Sequence, residues 1–285
     1  MGAPMAANLV AAGHLVSGFD LSPQNCAAAQ QTRVCIARDA RACVAGADVV
    51  VTMLPAGAAV LSVWRDVMSA AAPDALLIDC STIDVASARA AHALAAQASH
   101  ASLDAPVSGG TGGAKAATLT FMCGGAADAF ARAEPVLAAM GKKRVLCGEA
   151  GAGQAAKICN NMILGATMIA TAEAFVLAEK LGLSHQALFD VASTSSGQSW
   201  SLTTYCPVPG PVPASPANND YKPGFSAALM LKDLRLSQEA AQAAGAATPL
   251  GAHAAGLYER FNAAGGGTAD FSAIIGFLRE HSGAI

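Results

Sequence analysis

Lys157, Asn160 and Asn161 are the residues of this chain whose types and spacing point most directly to chemistry. On a helix, positions i, i+3 and i+4 share one face, so an ammonium and two amides can converge there on one small polar ligand. They lie in the stretch from Gly151 to Leu183, which reads as a single long apolar helix. Between Gln154 and Thr171, Lys157 is the only ionisable group apart from Cys159, so most of this helix is expected to be buried. The same residues also suit a lysine that snorkels to the surface beside two asparagines bonded to nearby loops. Taken alone, the cluster leaves both readings open.

A second candidate is the run from Asp104 to Ala114, a strand end entering a glycine-rich loop. Its backbone N–H groups and the Ser108 hydroxyl, with Gly109 and Gly110 beside it, can hold an anion. The loop lacks the G-K-[ST] of a nucleotide-phosphate cradle, so a carboxylate is the better-matched ligand. The plainer alternative is a hairpin connection, which fits less well because ligands bind at the carboxyl ends of strands in α/β sheets. A third candidate is the N-terminus, where Met1 to Leu9 matches the last part of a dinucleotide-binding G-x-G-x-x-G turn and its helix. Only the third glycine, Gly2, is present. Asp20 ends the following strand at the distance where an acid holds ribose hydroxyls. No arginine follows to receive a 2′-phosphate, which favours NAD over NADP. Asp20 suits equally well a cap on the turn before Pro23. Lys232 and Asp233 read by default as a solvated pair on a helix.

The elements that position these residues divide into two halves. In the first, helices are expected over Met5 to Ala12, Ala58 to Ala71 and Asp84 to Gln97. Strands are expected over Leu15 to Asp20, Val49 to Leu54, Leu76 to Asp79, Ser102 to Asp104, Leu119 to Cys123 and Val145 to Cys147. Short apolar strands alternating with helices imply a doubly wound parallel sheet covered on both faces. After Gly148 the pattern becomes helical: the long helix, then Gln186 to Ala192, Ser226 to Ala244, Leu250 to Ala263 and Phe271 to Glu280. The expected domains are therefore 1–149, binding a dinucleotide, and 150–285, all-helical. Six of the 13 prolines fall between Cys206 and Phe225, which predicts a rigid extended loop there.

Composition narrows the partners. With 53% hydrophobic and 13% charged residues and a mean hydropathy of +0.41, the chain is apolar enough to imply burial between subunits, as a homodimer or homotetramer. The uninterrupted apolar runs fall short of the roughly 20 residues that a membrane span requires, so no membrane partner is expected. A net charge of −3 without a basic run gives no footprint for nucleic acid. The eight cysteines show no C-x-x-C or His/Cys ligand spacing, so no metal is expected, and reduced core thiols in a cytoplasmic protein are the economical reading. No signal or transit peptide is visible.

Together, Gly2 to Leu9, Met53-Leu54-Pro55, Asp79-Cys80-Ser81-Thr82, Asp104 to Gly113, Gly153 to Asn161 and Lys232-Asp233-Leu234 resemble the β-hydroxyacid dehydrogenases over essentially the whole chain. Ser195 to Gly197, Trp200, Tyr205 to Gly210, Asn218-Asn219 and Gly224-Phe225 are similar to the branch acting on 3-hydroxyisobutyrate. The resemblance implies NAD-dependent oxidation of a small 3-hydroxy acid in valine breakdown. It implies Lys157 as acid/base and Asn161 orienting the substrate, with Ser108, Gly109 and Gly110 holding its carboxylate. Leu54, Pro55 and Thr82 would line the cofactor, Lys232 would close over the nicotinamide, and Asp20 would hold the adenosine ribose. A lysine free in water is too basic to accept a proton at neutrality, and apolar burial corrects this by disfavouring the charged form. Two alternatives remain at this stage: a reductase of tartronate or succinic semialdehyde on the same fold, or a cofactor-free remnant. Relatives carry a strand and a G-x-G turn ahead of the position of Met1, so an upstream first strand is expected in the native protein.

Overall fold

The computed structural model describes residues 1–281. The chain forms two compact units, Met1–Lys157 and Ile158–Ile285. The first runs α1 (Gly2–Ala11), β1 (Ser17–Gly18), α2 (Pro23–Gln30), β2 (Cys35–Ile36), α3 (Ala40–Val44), β3 (Val49–Thr52), α4 (Gly57–Val67), β4 (Leu76–Asp79), α5 (Val85–Gln97), β5 (Ser102–Asp104), β6 (Val107–Ser108), α6 (Gly110–Lys115), β7 (Leu119–Gly124), α7 (Ala127–Met140) and β8 (Gly141–Gly148).

β3, β4 and β5 are parallel, with Val51 opposite Ile78 and Ile78 opposite Leu103. β4 is buried at all of its positions, as a central strand covered on both faces must be. α4 turns Val60, Trp64 and Val67 inward at helical spacing, and α5 does the same with Ala88, Ala91 and Ala95. Those side chains share one core with Leu77 and Ile83. Asp84 caps α5 by accepting the Ser87 N–H at 2.7 Å.

The sheet departs from the all-parallel expectation. β7 runs antiparallel to both β5 and β6, and only β8 restores a parallel pair. The Gly109–Thr118 connection is shorter than the roughly dozen residues that a parallel crossover needs, so the chain must return antiparallel. Within it the expected loop folds into α6. α7 was not legible because Pro135 interrupts its interior, where proline ordinarily breaks a helix. The strand expected over Leu15 to Asp20 contributes only β1, paired with β2 as a separate parallel sheet. Among the described residues the other edges of β1 and β3 have no ladder partner.

α8 (Ala152–Lys180) follows, then α9 (His185–Ala192), α10 (Trp200–Thr203), α11 (Ala227–Ala244), α12 (Pro249–Ala263) and α13 (Ile274–Glu280). Positions 282–285 of the expected helical domain lie outside the described residues. Met168, Ile169, Ala172 and Phe175 of α8 pack with Met230, Leu234, Leu257 and Tyr258 in one core. Ser184, Ser199 and Ser226 cap three of these helices through their hydroxyls. The proline-rich loop is tied by its own side chains: Ser215 Oγ donates to Cys206 O at 2.6 Å and Tyr221 Oη to Pro207 O at 2.8 Å. Asp270, wholly buried, secures its end by accepting from Tyr205 Oη and from the Gly224 and Phe225 N–H groups.

Two expectations are corrected. α8 is long and apolar enough to cross a membrane, with 29 residues and a mean hydropathy of 1.5 in its most apolar window, because an average tolerates the isolated Thr, Gly and Asn that break its apolar runs. Its core side chains, not its length, mark it as a core helix. Among the described residues every cysteine is free, but only Cys80, Cys123 and Cys206 are buried, whereas Cys35, Cys147 and Cys159 are exposed. Cys35 lies on the two-residue β2, Cys147 near the end of β8 and Cys159 on an outward face of α8, where an apolar sequence context had placed thiols inside.

Glu179 provides a pH-dependent anchor in the second unit. Hydrogen bonds from Arg279, against a smaller opposing effect of burial and with help from His185, hold its carboxyl below the ordinary value of 4.5. A depressed folded-state value means that its stabilisation is complete above 4.5 and disappears as pH falls through the folded value. Glu179→Gln is therefore expected to lower stability at pH 7 by no more than about 1 kcal/mol, because solvent reaches the pair. Thermal melts across pH should show the gap to the parent closing on acidification, and a constant gap would contradict the assignment.

Candidate active site

Two acids end buried strands in the first unit and organise its carboxyl-terminal edge. Asp79, at the end of β4 and 2% exposed, accepts from Thr52 Oγ1 at 2.7 Å and Ser81 Oγ at 2.6 Å. Ser81 Oγ in turn accepts the Leu54 N–H at 2.7 Å. The loops after β3 and β4, which carry Leu54-Pro55 and Thr82, are thereby stitched together. Burial pushes the Asp79 carboxyl above its ordinary range, opposed by the Ser81 and Thr52 hydroxyls. Its Oδ2 has no hydrogen-bond partner among the described residues.

Asp104, at the end of β5 and 1% exposed, seats the start of α8. Its Oδ1 accepts the Gly151 N–H and its Oδ2 the Gln154 N–H, both at 2.8 Å, which satisfies donors that a helix leaves open at its N-terminus. His92 Nε2 lies 3.0 Å from Asp104 Oδ1, and His92 Nδ1 lies 2.8 Å from Ser102 Oγ. Helix and strand touch backbone to backbone. A Cβ at Gly153 would drive into the Met122 carbonyl oxygen and come within 2.6 Å of Asp104 O. One turn beyond this seat, Lys157 is 6% exposed and its Nζ donates to Val107 O at 2.8 Å.

That bond brings Lys157 to the glycine-rich segment. Ser108 ends β6, paired with Thr120 of β7. Gly109 has φ +130° and Gly110 φ +60°, and at Gly109 a Cβ would also meet Leu119 Cδ2 at 3.2 Å. The positive φ values are glycine's territory, and they turn the chain so that α6 starts at Gly110 with Gly109 as its N-cap. The structure thus gathers Lys157, Ser108, Gly109 and Gly110 around Val107, as an amine next to a run of backbone donors suited to a carboxylate.

In the second unit Asn161, one turn after Lys157 on α8, is 2% exposed. Its Nδ2 donates to Asp233 Oδ2 at 2.5 Å and its Oδ1 accepts from Asn160 Nδ2 at 2.9 Å. An amide has two donors and two lone pairs, so Asn161 can still orient a ligand. Asn160 itself is exposed. Asp233 is 3% exposed, which corrects the solvated reading of Lys232-Asp233: Asp233 is the buried anchor of Asn161, and Lys232 beside it on α11 is partly buried. Sequence reasoning also assigned no role to Asp79, Asp104 or Gln154. An acid at the end of a short strand was the available signal for the first two.

The dinucleotide-side residues occupy the remaining edge of the first unit. Gly2 heads α1, whose N-cap has no side-chain bond, so its first N–H groups suit a pyrophosphate. A Cβ at Gly2 would make only ordinary contact, 3.8 Å from Met53 Cβ. Asp20 is exposed after β1 and accepts from the Ser22 N–H at 2.8 Å and Asn25 Nδ2 at 3.1 Å; it caps the turn and keeps lone pairs free for ribose hydroxyls. An open helix start, an acid at a parallel strand end and stitched apolar loops after β3 and β4 fit a dinucleotide.

Comparison with known proteins agrees. Residues 1–148 match the family model of the NAD binding domain of 6-phosphogluconate dehydrogenase, and residues 151–278 that of the NAD-binding domain of NADP-dependent 3-hydroxyisobutyrate dehydrogenase. A probable 3-hydroxyisobutyrate dehydrogenase of Mycobacterium tuberculosis is 57% identical over 100% of this chain and 96% of its own. An NAD-dependent L-serine dehydrogenase of Pseudomonas aeruginosa is 47% identical over 96% of this chain and 93% of its own. A solved Mycobacterium tuberculosis 3-hydroxyisobutyrate dehydrogenase with L-serine superposes with a TM-score of 0.94 at 58% identity, covering 98% of this chain and 96% of that one. These similarities establish that the chain belongs to the β-hydroxyacid dehydrogenase family and is an NAD-binding oxidoreductase.

Proposed function

We propose that this chain oxidises 3-hydroxyisobutyrate to methylmalonate semialdehyde, with NAD as cofactor, as a step of valine breakdown in the cytoplasm. Residues 1–149 hold the dinucleotide and 150–285 supply the helical substrate and association domain. The observation that carries this reading is the Lys157 amine, buried and 2.8 Å from the carbonyl that precedes Ser108. Ser108 Oγ and the N–H groups of Gly109 and Gly110 hold the substrate carboxylate, and Asn161 orients the hydroxyl. Lys157, as the neutral amine, takes the hydroxyl proton as the carbonyl forms. The bound nicotinamide supplies the acceptor for the hydride leaving the same carbon. Leu54, Pro55 and Thr82 line that cofactor, Lys232 closes over its ring, the α1 start at Gly2 faces the pyrophosphate and Asp20 holds the ribose. The exposed Ile163, Leu177, Val191 and Leu250 support association into a homodimer or homotetramer.

A second reading, L-serine as substrate, is favoured by the name of the Pseudomonas relative. NAD reduction assayed with 3-hydroxyisobutyrate, L-serine and glycerate decides between them. The proposal expects the highest kcat/KM for 3-hydroxyisobutyrate, and a higher value for L-serine would replace it. Asp20→Arg is expected to shift the NAD to NADP preference about 10-fold or more towards NADP, equivalent to ~1.4 kcal/mol. Parallel titrations with the two cofactors measure it; an unchanged ratio would take Asp20 away from the ribose.

A further inference from the structure

Gln154 is wholly buried, and its side-chain amide is committed to the loop after β4. Its Nε2 donates to Ser81 O at 2.7 Å and its Oε1 accepts the Ile83 N–H at 3.1 Å. Those two backbone groups flank Thr82 on either side. The backbone N–H of Gln154 is held by Asp104 Oδ2, and Lys157 follows at i+3 on the same helix. A glutamine that merely filled space would not satisfy both the donor and the acceptor bracketing a single residue. The pairing works as a two-point splint between the loop of Thr82 and the first turn of α8, which carries the amine. Without it, a buried carbonyl and a buried N–H lose their partners, and the loop must shift or open to water.

We propose that Gln154 is a positioning residue that sets the spacing between the Lys157 amine and the cofactor-lining loop at Thr82. The inference rests on the assignment of Lys157 as proton acceptor and of Thr82 to the nicotinamide side. Proton and hydride leave neighbouring atoms of one substrate, so their two acceptors must be held at a fixed separation. Displacements of about 1 Å in such arrangements cost up to roughly 100-fold in rate. Gln154 itself touches neither reacting atom, and its effect is exerted through the loop and the helix.

The test replaces Gln154 with methionine, which keeps the volume and removes both hydrogen bonds. In the ligand-free protein, hydrogen exchange of residues 81–84 is expected to accelerate about 10-fold or more, with β4 unchanged. With the substrate that the parent turns over best, kcat is expected to fall roughly 10- to 100-fold, while KM for NAD changes less than about 3-fold. The primary deuterium isotope effect on kcat should rise as hydride transfer becomes limiting. Unchanged exchange at 81–84, a kcat within about 2-fold of the parent, or a KM for NAD that rises in step with the lost kcat would each overturn the proposal. Should the methionine protein not fold, Gln154→Glu takes its place under the same criteria, since it keeps the acceptor for Ile83 and loses only the donor to Ser81. Parent-like turnover by Lys157→Ala would instead remove the underlying assignment of the amine, an outcome separate from the exchange measurement.

Discussion

Lys157→Ala is expected to lower kcat by about 10²- to 10⁴-fold, the range that a positioned proton acceptor contributes, while NADH affinity, measured by fluorescence titration, stays within about 3-fold of the parent. Lys157→Arg should fail nearly as badly. Arginine keeps a positive charge near the carboxylate but does not give up its proton in a protein, so it separates proton transfer from charge attraction. If the arginine variant retained parent-like kcat, Lys157 would serve only to attract the substrate. If the alanine variant did, the amine would have no part in the reaction. The expectation depends on geometry as much as on chemistry. Lys157 donates to Val107 O, next to Ser108 to Gly110, so the proposed proton acceptor and the proposed carboxylate seat adjoin along the backbone.

Gly153→Ala is expected to collapse that seat. Helix propensity alone favours alanine over glycine by about 1 kcal/mol. Against it, the new Cβ would overlap the Met122 carbonyl and stand 2.6 Å from Asp104 O and 2.8 Å from Asp104 Oδ2. Overpacking costs about 1–3 kcal/mol even where side chains can yield, and here the obstacle is strand backbone. The steric term wins. The net loss should be about 3 kcal/mol or more, a fall in melting temperature of roughly 6–12 °C, with turnover lost because the first turn of α8 cannot dock. Gly256→Ala on α12 is the matched control: beyond its own helix backbone no atom of the described residues lies within 4 Å of where its Cβ would stand, so propensity acts alone and stability should rise by up to about 1 kcal/mol. Equal melting temperatures for Gly153→Ala and the parent would show that α8 does not rest on the sheet backbone as described.

The legibility of the site follows from how far apart in the chain its partners lie. The shared face of Lys157 and Asn161 is a property of helical spacing within five residues, and the turn at Ser108 to Gly110 is a property of consecutive glycines. Each could be read locally: Lys157 and Asn161 lie on α8, and Gly109 and Gly110 take positive φ. Asp20 was read two ways from one turn, and the structure shows the turn-capping bonds alongside an exposed carboxylate. Asp233 was misread because charge on a helix says nothing about which face is covered; its partner, Asn161, is 72 positions away. Gln154 reaches Ile83 over 71 positions and Thr52 reaches Asp79 over 27, so no local window contains either bond.

Hydrophobic period, glycine placement and ordered motifs are written along the chain, and they were enough for the two-part architecture, the long core helix and the family. Packing settled which strands run antiparallel, that the glycine-rich loop closes into a helix, and that Asp79, Asp104, Gln154 and Asp233 bond to the β3 and β4 loops, the start of α8 and Asn161. Those outcomes depend on which buried donor finds which buried acceptor once distant segments are packed together, and an unmet polar group is costly enough to select a single arrangement.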